Sequence, residues 1–485
     1  MMGLSLLAAV PGAQAASYGW TVEGSLPNDM TSFVSAELPD GRIFVACGYD
    51  SENTERLNST WVLDPDGWSW TALSDAPFAL ESPTGAYLDG KVFVFGGFTT
   101  SGYQDTVLIY NVSTDVWSSS QDLPYKGTFM RCMAIDDENI LLVGGNPDDA
   151  PATNETYIFN IDTEEFTAVA SLPDARGGGG LARIGGLVYY FGGWGDSFVV
   201  HDEIFAYDIA GDSWELVGHL PVARTAMSAV AATNGLVYLL GGGSGITWYD
   251  SGNVGEVLAW DPVSGLFSTF PPMPEPLRYV GALQIDSRIV YFGGHDKSNG
   301  NPNIYSLETL RIAADLSSGT VNQGESVWLH VWTEAEMVME DSLHGYAYLT
   351  KDNVTYGSYY IDSAGGDDVM LEISISEDLP AGEYELEFQY LTIDYWSLDW
   401  KMAPLSLTVT AAPSTNDRMD DLEQQNQDLQ DQLDALQEDL DTANADLKEA
   451  VDAKLDASLG YIILIAVLAC LVMSAVALVV MLRRK

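Results

Sequence analysis

The stretch Val92-Phe93-Val94-Phe95-Gly96-Gly97 decides the fold, because it keeps coming back. Four apolar residues closed by a glycine pair recur at Ile140–Gly145, Val188–Gly193, Val237–Gly242 and Ile289–Gly294, and in degenerate form at Ile43–Gly48, where Cys47 stands for the first glycine. Four consecutive apolar residues make a strand buried on both faces. The glycine pair permits a sharp exit with φ > 0 and a close backbone approach. From Gly96 onward the first glycines follow one another at 48, 48, 49 and 52 residues. A period near 50 that carries several strands per repeat predicts a β-propeller.

Working outward from each block, the other markers keep the same register. An aromatic residue precedes a proline by seven positions at Trp20/Pro27, Trp70/Pro77, Trp117/Pro124, Phe166/Pro173, Trp214/Pro221 and Phe267/Pro274. A further strand ends in Leu63, Tyr110, Phe159, Tyr207 or Trp260, seven residues before one of those aromatics, across turns rich in Asp, Ser, Thr and Gly. That spacing predicts a hairpin with a large apolar side chain on each arm. Apolar block, Gly-Gly, Tyr, Trp, Leu-Pro and often Arg: at these residues the chain resembles the kelch repeat. The resemblance covers residues 17–310 and implies a six-bladed propeller. The sixth repeat has no Trp and no Leu-Pro after Asn303–Leu307, and the missing piece stands at Trp20 and Leu26-Pro27. Residues 18–25 are therefore expected to close the last blade and remove its free edge.

Composition bounds the partners. The chain has 485 residues, 70 Asp+Glu against 20 Lys+Arg, and a formal net charge of −50. Nucleic acid and anionic membrane surfaces are excluded as general partners. Leu4–Val10 is a short apolar stretch before Ala13-Gln14-Ala15, which reads as a signal peptide over residues 1–15 without a basic start. Tyr461–Leu482 gives 22 uncharged residues before Arg483-Arg484-Lys485, which predicts a transmembrane helix with a cytoplasmic basic tail over 483–485. The expected location is the cell membrane, single-pass, with the N-terminal region extracellular.

Between ring and span, residues 312–411 read as about seven short alternating strands, the pattern of an immunoglobulin-like sandwich without its cysteine pair. Residues 413–458 carry heptad spacing through Leu422, Leu429, Leu436 and through Asn426, Leu433, Leu440, with 14 acidic and 3 basic residues over Asp417–Asp456. This predicts an acidic coiled-coil stalk and a homodimer through it. The fold class expected is all-β: a six-bladed kelch-type β-propeller plus an Ig-like β-sandwich, then a helical coiled-coil stalk and one transmembrane helix.

A site is expected on the face where the loops after the glycine pairs meet the loops after the prolines. The first set carries Trp194, Trp248, Tyr249 and His295; the second carries Arg176, Arg224 and Arg278. The kelch resemblance implies that these arginines reach the mouth of the channel, and three guanidiniums on one face suit an anion. Salt bridges to the abundant carboxylates are the other reading. Sequons at Asn58, Asn111, Asn154 and Asn353 fit a glycosylated, exported chain. No catalytic set, cofactor motif or metal-ligand spacing is legible. The expected function is recognition or adhesion, with the propeller binding an extracellular protein or glycan. The alternative is a surface-tethered sugar-modifying enzyme that resembles the kelch sialic-acid mutarotases or, on His201 and His295, galactose oxidase.

Overall fold

The computed structural model describes residues 19–148, 150–245, 252–296, 300–334, 343–363, 368–393, 398, 400–412, 415–452 and 466–467. Within Thr21–Glu308 the strands form six four-stranded antiparallel sheets. The second blade shows the pattern: Thr84–Leu88, Lys91–Phe95, Val107–Asn111 and Val116–Ser119 follow each other outward. The apolar blocks are the second strands, and all four of their residues are buried in every blade. The innermost strands touch their neighbours all the way round, from Val34–Glu37 through to Gly281–Ile285 and back.

Two devices close the ring. Thr21–Ser25 is the outermost strand of the sixth blade, paired antiparallel with Asn303–Ser306. Its Glu23 binds Arg288 at 3.2 Å and the Ser306 hydroxyl at 2.6 Å. The second device lies at the centre, where six residues with φ between 53° and 62° (Ser32, Ser82, Phe129, Gly178, Ala226 and Tyr279) pass a hydrogen bond around the circle. Ser82 N–H donates to Ser32 O, Phe129 to Ser82, Gly178 to Phe129, Ala226 to Gly178, Tyr279 to Ala226, and Ser32 back to Tyr279. The distances run from 2.7 to 3.4 Å. Each inner amide left without a ladder partner is thereby satisfied by the carbonyl of the preceding blade.

The recurrent tryptophans do equivalent work at the rim. Trp70 Nε1 donates to Ser25 O, Trp117 to Ser74 O, Trp214 to Ala170 O and Trp20 to Pro271 O, all at 2.8–2.9 Å. In each case the acceptor ends or follows the outer strand of the preceding blade, so the side chain ties one blade to the next. Phe166 and Phe267 keep the ring but lack the donor.

Beyond the ring, Arg311–Leu316, Ser326–Glu334 and Asp368–Ser374 form one sheet. A five-stranded sheet runs Thr320–Asn322, Leu405–Thr410, Gly382–Ile393, Leu343–Lys351, Val354–Asp362, its first pair parallel. Their inner faces share one apolar core with the fifth and sixth blades. Tyr238 donates to Leu310 O at 3.1 Å, Lys401 N–H donates to Ser268 Oγ at 3.0 Å, and Phe270 meets Trp400 edge-on at 6.2 Å. This region is thus fixed to the propeller by a continuous core.

The C-terminal expectation needs correction. The coiled-coil stalk is a single helix, Thr415–Asp452, with Met419, Leu429, Leu433 and Leu436 of the heptad seam exposed. Gln424, Gln427 and Gln430 donate along the helix to Asp428, Asp431 and Asp434, so its polar groups are satisfied locally. Crowded like charge opposes packing of such a seam. The transmembrane span expected at 461–482 lies outside the described residues except 466–467, and among the described residues no helix is long and apolar enough to cross a membrane. The signal peptide over 1–15 and the tail over 483–485 also lie outside them.

Candidate functional site

The loops after the glycine pairs and those after the prolines share one face, joined by bridges Glu81–Phe98, Gly177–Trp194, Thr225–Gly243 and Arg278–His295. The reason is local: Gly145 N–H donates to Arg176 O and Gly193 N–H to Arg224 O. A Cβ on Gly144 would stand 2.2 Å from Arg176 O, so only glycine fits beneath that carbonyl.

The same geometry buries the three arginines. Arg176 is 1 % exposed, Arg224 and Arg278 0 %. Arg176 Nη2 meets Glu203 at 3.1 Å, and Arg224 Nη2 meets Glu256 at 2.7 Å. Arg278 Nε donates to Asn253 Oδ1 at 2.7 Å and its Nη1 to Gly245 O at 3.0 Å. Arg176 and Arg224 reach from the loop entering a blade to the start of that blade's third strand, whereas Arg278, entering the sixth blade, reaches back to the loop before the fifth blade's third strand. Burial pushes Glu203 up, but its own backbone N–H, Arg176 and His201 together hold it below the ordinary carboxylate value. These guanidiniums are bound to the chain's own oxygens through their terminal nitrogens or, in Arg278, also through Nε, while the buried Nε atoms of Arg176 and Arg224 have no hydrogen-bond partner among the described residues.

Trp194 is buried as well. Its Nε1 donates to Pro151 O at 2.9 Å and its ring meets Phe129 edge-on at 5.0 Å. His295 is buried, bonds the Asp296 carbonyl through Nδ1, and stacks on Tyr279; burial pushes its pKa down. Trp248 and Tyr249 lie outside the described residues. Among the sequons, Asn58 and Asn154 donate their amides to Ala76 O and Leu172 O. Asn111 accepts from Ser113 and Thr114 in its turn, and Asn353 is exposed at φ 61°. The first two asparagines hold equivalent loops of the first and third blades, which accounts for them structurally.

The channel holds residues that the motif reading passed over. Phe129 and Tyr279, from opposite blades, meet across it at 5.7 Å, extending a row from Trp194 to His295. Beneath them lies a cavity of about 200 Å³ bordered by all six blades, with Ser32, Ser82, Arg131 and Ser228 among its walls. The signal was present: at the six equivalent positions of the central circle, Phe129 and Tyr279 stand against Ser, Ser, Gly and Ala.

Comparison with known proteins supports this architecture. Residues 17–178 match the KLHDC2/KLHL20/DRC7 Kelch-repeats domain. The chain is 26% identical over 283 residues to Kelch-like protein terF of Aspergillus terreus, covering 54% of this chain and 60% of that protein. It is 26% identical over 295 residues to N-acetylneuraminate epimerase 1 of Escherichia coli, covering 57% of this chain and 71% of the relative. The solved structure titled "Structure of YjhT" superposes with a TM-score of 0.51 at 15% identity, over 60% of this chain and 96% of that one, which speaks for the fold alone. The chain spans less than two thirds of the length of the first curated relatives it matches. Repeat spacing, sheet topology and these matches together support a kelch β-propeller for the ring from Thr21 to Glu308.

Proposed function

We propose that the propeller is a recognition module that binds a protein partner on its loop face. Kelch repeats in general support protein binding, and one observation on this chain carries the reading. The loop after Trp194 presents Phe198 and Val199 to solvent, 49 % and 54 % exposed. Ser197 and Phe198 hold φ of 55° and 59°, a costly conformation for a bulky residue. Gly195 N–H to Val199 O and Phe198 N–H to Gly195 O lock the turn. A strained loop that holds apolar side chains outward suits an anchor for a partner's pocket. The test is affinity capture from the source organism's extract with the wild-type chain and with Phe198→Asp/Val199→Asp. Loss of the same captured protein in the variant supports the reading; equal capture by both sinks it.

A second reading follows from the likeness to N-acetylneuraminate epimerase 1 and from the central cavity: conversion of an acidic sugar. Incubating the chain with N-acetylneuraminate and following anomer and epimer signals by NMR checks it. Turnover above the uncatalysed rate would displace a purely binding role.

A further inference from the structure

Arg131 sits differently from the other arginines of the ring. It lies on the innermost strand Arg131–Ala134, two residues inward from Phe129 and deep in the disc, yet it keeps accessible surface because it borders the cavity. Its Nε donates to Gly179 O at 2.5 Å. Its two terminal nitrogens make no hydrogen bond to any described residue, and among the described residues no carboxylate comes within 4.0 Å of it. Burial accordingly pulls its pKa down, and the groups acting against this are Tyr190, Tyr279 and Cys132, none of them a carboxylate. A guanidinium left uncompensated inside a protein is costly unless a counter-charge arrives.

A second observation lies on the same wall. Ser32 and Ser82 both border the cavity, and their hydroxyl oxygens are buried with no hydrogen-bond partner among the described residues. Ser228 and Thr84, which also border the cavity, are already committed, to Val280 O and Cys132 Sγ. Blade four contributes only Gly180 and Leu181, so nothing bulky fills the space. The volume of about 200 Å³ is room for several waters or one small organic molecule.

We propose that the central channel, beneath the Phe129–Tyr279 pair, binds a small carboxylate whose oxygens take both terminal nitrogens of Arg131 and the hydroxyls of Ser32 and Ser82. The planar fork of the guanidinium matches a carboxylate in bidentate geometry, and two serine donors satisfy its remaining lone pairs. The aromatic pair above narrows the way in from the loop face, which favours a free small acid over the side chain of a docked protein. The inference does not rest on the loop-face reading and requires no turnover.

The test is calorimetric titration of the purified full chain with pyruvate, lactate and N-acetylneuraminate, with pyruvamide and chloride as controls. At least one carboxylate should bind with a Kd below about 1 mM, and pyruvamide and chloride should not. Arg131→Gln should weaken that binding at least tenfold, and Arg131→Lys should recover part of it. Ser32→Ala/Ser82→Ala should weaken it several-fold, and this pair serves if Arg131→Gln does not fold. Phe198→Asp/Val199→Asp should leave it unchanged, which separates this site from the loop face. Equal binding of pyruvamide, undiminished binding in the arginine or the serine variants, or no carboxylate bound by the folded wild-type chain would each overturn the proposal.

Discussion

The loop face and the channel of this propeller use arginine in opposite ways. On the loop face, Arg176 and Arg224 are buried against Glu203 and Glu256, and Arg278 against Asn253 and Gly245. In the channel, Arg131 has one carbonyl and no acid among the described residues. Arg131 lies on the inner strand of the third blade, and the other three lie in the loops that enter the fourth, fifth and sixth blades. What separates Arg176 and Arg224 from Arg131 is that the chain itself supplies their counter-charge, while Arg278 is bound to neutral amide and carbonyl oxygens. A guanidinium that is compensated internally is a structural tie, and one that is not is a site waiting for an anion.

The strongest way to break this comparison is to remove two of the ties. Arg176→Ala/Arg224→Ala deletes two buried cations, their packing and their ties to the partly exposed Glu203 and Glu256, which should cost about 4–6 kcal/mol in all. Urea melts should show that loss, while carboxylate binding in the channel survives under folding conditions. Lost binding with an unchanged melt would show that these arginines serve a ligand after all.

A smaller perturbation falls on the border between the regions. Gly178 belongs to the central circle with φ +62°, and a Cβ there would stand 2.0 Å from Trp194 Cζ3. Gly178→Ala should cost about 2–3 kcal/mol by thermal melting, since both the backbone and the tryptophan must move. A cost below about 0.5 kcal/mol would mean that the circle yields easily.

Acidity sharpens the comparison further. Glu203 has its folded pKa held below the ordinary 4.5. The stability it contributes is therefore present above that value and is lost as pH falls through the lower folded pKa. Wild type should lose more stability between about pH 5 and pH 3 than Glu203→Gln, by roughly 1 kcal/mol after discounting for its partial exposure. Parallel pH profiles would show that the pair adds nothing.

The smallest effect is expected where the cation is unpaired. Arg131→Met replaces a lone buried charge with an apolar chain of similar length, so stability should stay within about 1 kcal/mol of wild type or rise. A loss comparable to that of the paired arginines would reveal an internal partner and remove the contrast.

Much of the ring was legible in the sequence because its markers are backbone requirements repeated at fixed spacing. The glycine pairs take φ > 0 beneath a neighbouring carbonyl, and Cys47 does the same at φ 63°, so even the degenerate block keeps its turn. The rim aromatics are periodic because four tryptophans perform one task. The C-terminal reading fared differently. Heptad spacing over 413–458 is a pattern of one helix and does not specify what covers its seam, and in the described structure Leu429, Leu433 and Leu436 are exposed.

Sequence alone determined the repeat, the number of sheets and the strand that closes them, since each depends on local spacing and on residues that tolerate one backbone conformation. Which arginines meet an acid was decided only by tertiary structure. Glu203 lies 27 residues from Arg176 and Glu256 lies 32 from Arg224, brought within reach by the curl of a blade. Arg131 points instead into a space that exists only once six blades have closed around it. A guanidinium's role follows from the charges within a few ångströms of it, and in a propeller those neighbours come from distant parts of the chain.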